Sequence, residues 1–253
     1  MGLRALLYGA YERHLLAGFP DSAVPRHVGV ILDGNRRWAK MYGADTATGH
    51  RAGAAKILEF LTWCEDVGVE VVTLWLLSTD NLSRPAAELV TLWGIIDDAV
   101  ASIAATGRYR VHPVGALDLL APELAQRLKE HEDATRDVRG PHVNVAIGYG
   151  GRREIRDAVR SLLQSAAERG TSLEELAEMV DVEHIAEHLY TRGQPDPELV
   201  IRTSGEQRLS GFLLWQSAHS EYYFCEALWP DFRKVDFLRA LRSYAERERR
   251  FGG

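Results

Sequence analysis

His27-Val28-Gly29-Val30-Ile31-Leu32-Asp33-Gly34-Asn35-Arg36-Arg37-Trp38 is the stretch on which the reading of this chain turns. Its first six residues are a short apolar run without polar alternation, the pattern of a strand buried on both faces. The run stops at a carboxylate, two turn residues, two guanidiniums and an indole. In open α/β sheets, ligands bind outside the carboxyl ends of the strands. A carboxylate beside arginines suits a magnesium-bound phosphate ester: the acid holds the metal and the arginines hold the phosphate oxygens. Taken alone, the stretch fits equally well a strand ending in an Asp-Gly turn, with Asp33 paired to an arginine. Three further strand ends decide between the two.

Outward from this stretch, strand-like and helix-like segments alternate. Between Gly49 and Cys64, apolar residues recur near helical spacing, and Gly68 marks the helix end. Residues 69–77 are a continuous apolar run with β-branched members, hence a buried strand. Pro85 opens a helix through residue 105, as proline does in a first turn. Residues 108–114 read as a strand, 122–135 as a helix, and 142–147 as a strand before the turn Gly148-Tyr149-Gly150-Gly151. A helix to residue 167, short helices at 173–179 and 182–189, a strand at 198–202 and a helical stretch at 209–217 follow. A strand at 222–225 and a helix at 235–250 close the chain. The alternation predicts an α/β fold, with a mostly parallel central sheet flanked by helices in one domain over residues 25–253.

With 253 residues and 46% hydrophobic composition, the chain can bury one large core. A net charge of −6 argues against a nucleic-acid surface. Cys64 and Cys225 lie in apolar surroundings and read as buried free thiols of a reducing compartment. No stretch reaches the length of a membrane span. The segment 1–24 is too polar for a signal peptide and reads as an amphipathic helix. Such a helix packs on the body, on a partner or loosely on a membrane surface, so the expected location is cytoplasmic, with membrane association left open.

Polar clusters fall at strand ends. Ser78-Thr79-Asp80-Asn81-Leu82-Ser83-Arg84 follows one strand, and Arg202-Thr203-Ser204-Gly205-Glu206-Gln207-Arg208-Leu209-Ser210 follows another. In a parallel sheet these, the glycine turn and Asp33 emerge on one edge. Arg37, Arg84, Arg202 and Arg208 can each fork onto phosphate oxygens, with Ser78, Ser204 and Ser210 as further donors. A charge-assisted hydrogen bond contributes about 1.5–3 kcal/mol, so four arginines can hold two diphosphates without a nucleotide base. For Arg36 and Arg153 a surface salt bridge is the better reading. Walker, dinucleotide-binding and nucleophile-elbow motifs are absent, and the His50, Cys64 and Cys225 spacings make no zinc site.

These stretches, with Gly49-His50, Tyr149-Gly150-Gly151-Arg152, Leu199-Val200-Ile201-Arg202, Phe212-Leu213-Leu214-Trp215-Gln216, Trp229-Pro230-Asp231-Phe232 and the closing Arg247-Glu248-Arg249-Arg250-Phe251-Gly252-Gly253, resemble the cis-prenyltransferases, the undecaprenyl diphosphate synthase family. The resemblance runs in one order from about residue 25 to the end. It implies a homodimer with an apolar substrate tunnel that condenses isopentenyl diphosphate with an allylic diphosphate (geranyl or farnesyl), using Mg2+ and forming a cis double bond. On this resemblance Asp33 serves magnesium and the allylic diphosphate. Gly34, Asn35, Arg36, Arg37 and His50 cradle that diphosphate, and Trp38 packs nearby. Arg202, Arg208, Leu209 and Ser210 hold the isopentenyl diphosphate, and Glu221 matches a metal-site glutamate. Asn81 matches the residue proposed to help remove the proton, with Ser78, Thr79, Asp80, Leu82 and Arg84 beside it.

The chain also departs from the family pattern. Thr46 stands where long-chain bacterial members carry an arginine, Asp80 replaces a glutamate and Gly148 an asparagine. Leu76 occupies a tunnel position that is alanine in long-chain enzymes, and Trp93 and Ile147 are also bulky. Extra volume in a close-packed channel shortens it, so the expected product is short, a cis-farnesyl diphosphate from one addition to geranyl diphosphate. If Leu76 instead faces another helix, it changes nothing. The other readings are a long-chain lipid-carrier synthase and a non-catalytic partner subunit. Such subunits lose the strand-end aspartate and arginines, which are present here.

Overall fold

The computed structural model describes residues 24–251, with side chains described to residue 247. The expected N-terminal helical segment lies outside the described residues, apart from Val24. Six strands form one sheet: β1 (His27–Ile31), β2 (Val71–Ser78), β3 (Arg110–Val114), β4 (His142–Tyr149), β5 (Leu199–Arg202) and β6 (Glu221–Phe224). Their order is β3-β4-β2-β1-β5-β6, and every pairing is parallel. All five residues of β1 are buried, so its lack of alternation reflects cover on both faces.

The main core covers one face. Val28, Val30 and Leu74 of the sheet meet α2 (Thr46–Val67), α3 (Ala86–Ala105), α4 (Pro122–Thr135) and α8 (Lys234–Phe251) there. On the opposite face Ile31, Ala146, Tyr149 and Val200 pack under Phe212 and Leu213. α5 (Gly151–Glu168), α6 (Leu173–Met179) and α7 (Val182–Ala186) lead from β4 to β5. Asp45 caps α2 by accepting from the Thr48 N–H at 2.7 Å, and Gly68 ends it at φ 87°.

Two expectations need correction. Asn35–Met41 forms a helix, α1, where the sequence reading had only a turn. Residues 209–217 form a chain of turns and no helix. Ser210, Gly211 and Leu213 all have positive φ (52°, 84° and 43°), which a right-handed helix cannot accommodate. Both cysteines are buried and free. Asp97 accepts from Arg127 at 2.6 Å and ties α3 to α4.

A buried polar ladder fixes the central strands near their amino ends. His27 Nδ1 donates to the Pro195 carbonyl at 2.7 Å, and its Nε2 accepts from Thr73 at 2.8 Å. Thr73 in turn accepts from Asn144, whose amide pairs with Gln194. Burial lowers the His27 pKa to about 4, so the ring is neutral near pH 7.

Candidate active site

β1 and β5 are neighbours whose following segments turn to opposite faces of the sheet, which opens a crevice at their carboxyl ends. A cavity of about 350 Å³ fills it and extends to the end of β2. Asp33 stands in the crevice. Arg202, whose side chain is only 6% exposed, donates from Nη2 to Asp33 Oδ2 at 2.8 Å. Its Nη1 donates to Ser210 Oγ at 3.0 Å and to the Arg208 carbonyl. Its Nε is buried without a partner among the described residues.

The backbone of Asp33 is held as firmly. Its N–H donates to Thr203 Oγ1 at 3.0 Å, while the Thr203 hydroxyl and the Trp229 N–H donate to its carbonyl at 2.7 and 3.0 Å. Arg37, half-exposed, stands 3.9 Å from both Asp33 Oδ1 and Glu206 Oε1. Glu206 also pairs with the exposed Arg208, and of the residues expected to hold diphosphate Arg208 does not border the cavity.

Gly34 begins α1 at φ 110°, and a Cβ there would stand 2.9 Å from Leu228 Cδ2. Conformation and space both require glycine. α1 lies close against α2: a Cβ on Gly49 would stand 2.3 Å from the Asn35 carbonyl oxygen. His50 follows on α2, with Nε2 buried and unpartnered among the described residues. Burial, with Arg84 and Arg36 acting the same way, lowers its pKa to about 4, while Glu88 opposes.

The β2 wall is built locally. Ser78 Oγ accepts from the Asn81 N–H at 3.2 Å. Arg84 donates to Asn81 Oδ1 at 3.0 Å and to Glu88 Oε1 at 3.1 Å. Below the polar cavity lies an apolar pocket of about 40 Å³, lined by Ala54, Ile57, Ile96 and Trp229. Leu32, Asn35, His50, Leu76 and Leu92 border both spaces.

Of the expected residues, Asp33, Gly34, Asn35, Arg36, Arg37, His50, Leu76, Ser78, Asp80, Asn81, Arg84, Arg202 and Ser210 line the cavity. Thr79 packs on Gly150, Leu82 and Trp93 on the main core, and Leu209 on the smaller one. Trp38 donates to Asp231 at 3.0 Å, Thr46 opens α2, and Ile147 is buried in the main core; none of the three borders either space. Glu221 begins β6 level with Val28 and pairs with Arg247. It therefore sits five residues back from Asp33 along the strand direction, roughly 16 Å at the usual rise. Within one chain the two do not meet.

Trp75, Leu92, Thr203 and Glu206 are site residues that the sequence reading did not select. Thr203 and Glu206 lie inside a quoted motif, but Trp75 and Leu92 are apolar residues that pattern alone assigns to the core. Among the described residues no three His, Cys, Asp or Glu side chains cluster as a metal cage. Magnesium, however, usually takes one or two carboxylates plus substrate phosphates. Asp33 fits that role, because Arg202 engages Oδ2 and Oδ1 keeps only a loose approach to Arg37.

Residues 31–252 match the prenyltransferase family described as undecaprenyl diphosphate synthase. A (2Z,6E)-farnesyl diphosphate synthase of Thermobifida fusca is 64% identical, covering 99% of this chain and 98% of its own. A short-chain Z-isoprenyl diphosphate synthase of Mycobacterium bovis is 55% identical, covering 99% and 97%. Among solved structures, lavandulyl diphosphate synthase from Lavandula x intermedia, in complex with dimethylallyl diphosphate, superposes with a TM-score of 0.82 at 32% identity. It covers 88% of this chain and 96% of its own.

Proposed function

The chain belongs to the undecaprenyl diphosphate synthase family of prenyltransferases, and from that premise we propose that its cleft joins isopentenyl diphosphate to an allylic diphosphate with a new cis double bond. The observation that carries this reading is the Asp33–Arg202 pair at the mouth of an apolar pocket. Arg202, Arg208 and Ser210 hold the isopentenyl diphosphate on one side. Gly34, Asn35, Arg36, Arg37 and the neutral His50 hold the allylic diphosphate on the other. Magnesium on Asp33 and the diphosphate oxygens would offset the charge growing on the leaving group.

As the allylic carbon–oxygen bond breaks, Leu32, Leu76 and Leu92 shield the electron-poor carbon from water. The alkene of isopentenyl diphosphate attacks that carbon, and a proton then leaves the adjoining carbon. An amide is a poor general base, so Asn81, held by Arg84, orients the diphosphate oxygen or water that takes the proton.

The product is short, in this proposal one cis addition to geranyl diphosphate. The small apolar pocket bordered by Leu76 supports this, as do the activities for which the Thermobifida and Mycobacterium relatives are named. A homodimer belongs to the same proposal; the edge of β6, unpaired among the described residues and with Phe224 exposed, is what supports it. The deciding experiment incubates the protein with magnesium, labelled isopentenyl diphosphate and either geranyl or farnesyl primer. A single C15 product from geranyl diphosphate is expected. A long polyprenyl ladder would make it a lipid-carrier synthase, and no product from folded protein would make it a non-catalytic partner.

A further inference from the structure

A groove of about 800 Å³ runs along the edge strand β3 and shares no lining residue with the cleft. Its charges divide into two groups. The acids are committed: Glu132 meets His112 Nδ1 at 2.5 Å, Asp133 pairs with Arg136, and Asp157 accepts from Tyr190 and Arg156 at 2.6 Å each. Arg110, Lys129 and Arg192 are exposed and make no ion pair or hydrogen bond among the described residues.

The fold brings two of these cations together. Arg110 begins β3 and His142 begins β4, and the two are register partners on neighbouring strands. Arg192 arrives from the segment that leads into β5, and that segment is anchored on both sides of it. His112 Nε2 donates to the Tyr190 carbonyl at 3.2 Å, and Gln194 exchanges hydrogen bonds with Asn144. His112 and Asn144 stand two residues along from Arg110 and His142, hence on the same face of the same strands. Between the anchors a turn closes, with the Gln194 N–H donating to the Thr191 carbonyl at 3.1 Å and Gly193 at φ 77°. Arg192 is therefore held at the tip of a fixed turn over the start of β3 and β4. Burial keeps the His142 pKa below the usual histidine value, and Arg110 and His112 act the same way. The local field is thus positive, and the acids that line the groove are already engaged.

A strand from another chain does not suit this edge. The Val111 N–H donates to Thr135 Oγ1 at 3.0 Å and Pro113 has no N–H, so β3 offers an incoming backbone few donors. A small anion does suit it, since guanidiniums fork onto phosphate oxygens and an imidazole adds a further donor. We propose that Arg110, His142 and Arg192 form a second anion site, outside the cleft, for a diphosphate group, free or esterified. The proposal does not depend on the substrates assigned to the cleft.

The test follows the His142 ring by NMR in the whole chain without magnesium, its signals assigned through His142→Gln. Saturating inorganic diphosphate is expected to raise the His142 titration midpoint by about one pH unit, the effect of a close opposite charge. Arg110→Gln combined with Arg192→Gln should weaken the affinity read from that response at least tenfold, about the loss of one or two charge-assisted bonds. Its kcat and KM should stay within about twofold of wild type. Arg202→Lys, which weakens diphosphate binding in the cleft, should leave the His142 response intact. A response to geranyl diphosphate alone would assign the site to an esterified head group, and a response to inorganic diphosphate to the free anion. A midpoint that moves with neither ligand would overturn the proposal, as would equal affinity in the folded double variant or loss of the response in Arg202→Lys. Circular dichroism establishes that the double variant, altered only at two exposed positions, is folded.

Discussion

The two walls of the cleft are built by different means. On the β1–β5 side Asp33 and Arg202, separated by 169 residues, meet because their strands pair in parallel register, and Thr203 locks the Asp33 backbone. On the β2 side, contacts among Ser78, Asn81, Arg84 and Glu88 span only three or four residues. The first wall contains a nearly buried guanidinium whose position the sheet determines; the second is only partly buried and answers to its own short turn. The comparison teaches that charge is placed most firmly where long-range pairing sets it, and that local turns supply adjustable groups around it.

The largest effect should come from the long-range wall. Asp33→Asn keeps the shape and removes both the countercharge of Arg202 and the carboxylate proposed to hold magnesium. Steady-state kinetics should show kcat reduced about 10²–10³-fold, the scale of losing one preorganised group that stabilises developing charge. Chelating magnesium from the wild type should abolish turnover, with recovery on adding it back. A variant that retains full kcat would put the reacting centre elsewhere. Next, Arg202→Lys replaces a fork serving Asp33, Ser210 and a carbonyl with a single ammonium. An increase of roughly 10–100-fold in KM for isopentenyl diphosphate is expected, one or two charge-assisted bonds being lost. A change below twofold would mean that this wall is no firmer than its neighbour.

Leu76→Ala tests what lies beneath both walls. Mass analysis should show products at least one isoprene unit longer, with little change in the rate of the first addition. Unchanged product length would remove Leu76 as the floor of the pocket. The smallest effect concerns pH. His27 and His50 titrate near 4 in the folded protein against 6.5 for an ordinary histidine. Between those values the unfolded chain binds more protons, so stability is complete above about 6.5 and declines as pH falls toward 4. Thermal melts should record that decline. His27→Gln should flatten it more than His50→Gln, because His27 is 1% exposed whereas His50 is only partly buried. A wild-type melting temperature constant from pH 6.5 to 4.5 would contradict the burial of both rings.

Much of the fold was legible because strand runs such as 27–32 and 142–147 are apolar on both faces, and little else in the chain looks like them. The rim was legible because arginine, serine and asparagine gather after such runs. α1 was missed because it opens on Gly34, without a side-chain cap and without an acid in its first turn. Residues 209–217 were misread because an apolar stretch resembles a helix until Ser210, Gly211 and Leu213 take positive φ to lie across the sheet. Trp93 and Ile147 illustrate a further limit: bulk is visible in a sequence, whereas the direction in which it points is not.

By itself the sequence determined the parallel α/β class, the strand-end chemistry and the resemblance that led to the prenyltransferase family. Residue type and spacing are enough for each of these. Only the tertiary structure decided that Asp33 pairs with Arg202, that Glu221 stands at the amino end of the strands and Asp33 at the carboxyl end, and that Leu76 borders both the polar cavity and the apolar pocket. These depend on strand order and register, which are set by packing among residues far apart in the chain and leave no local trace in its pattern.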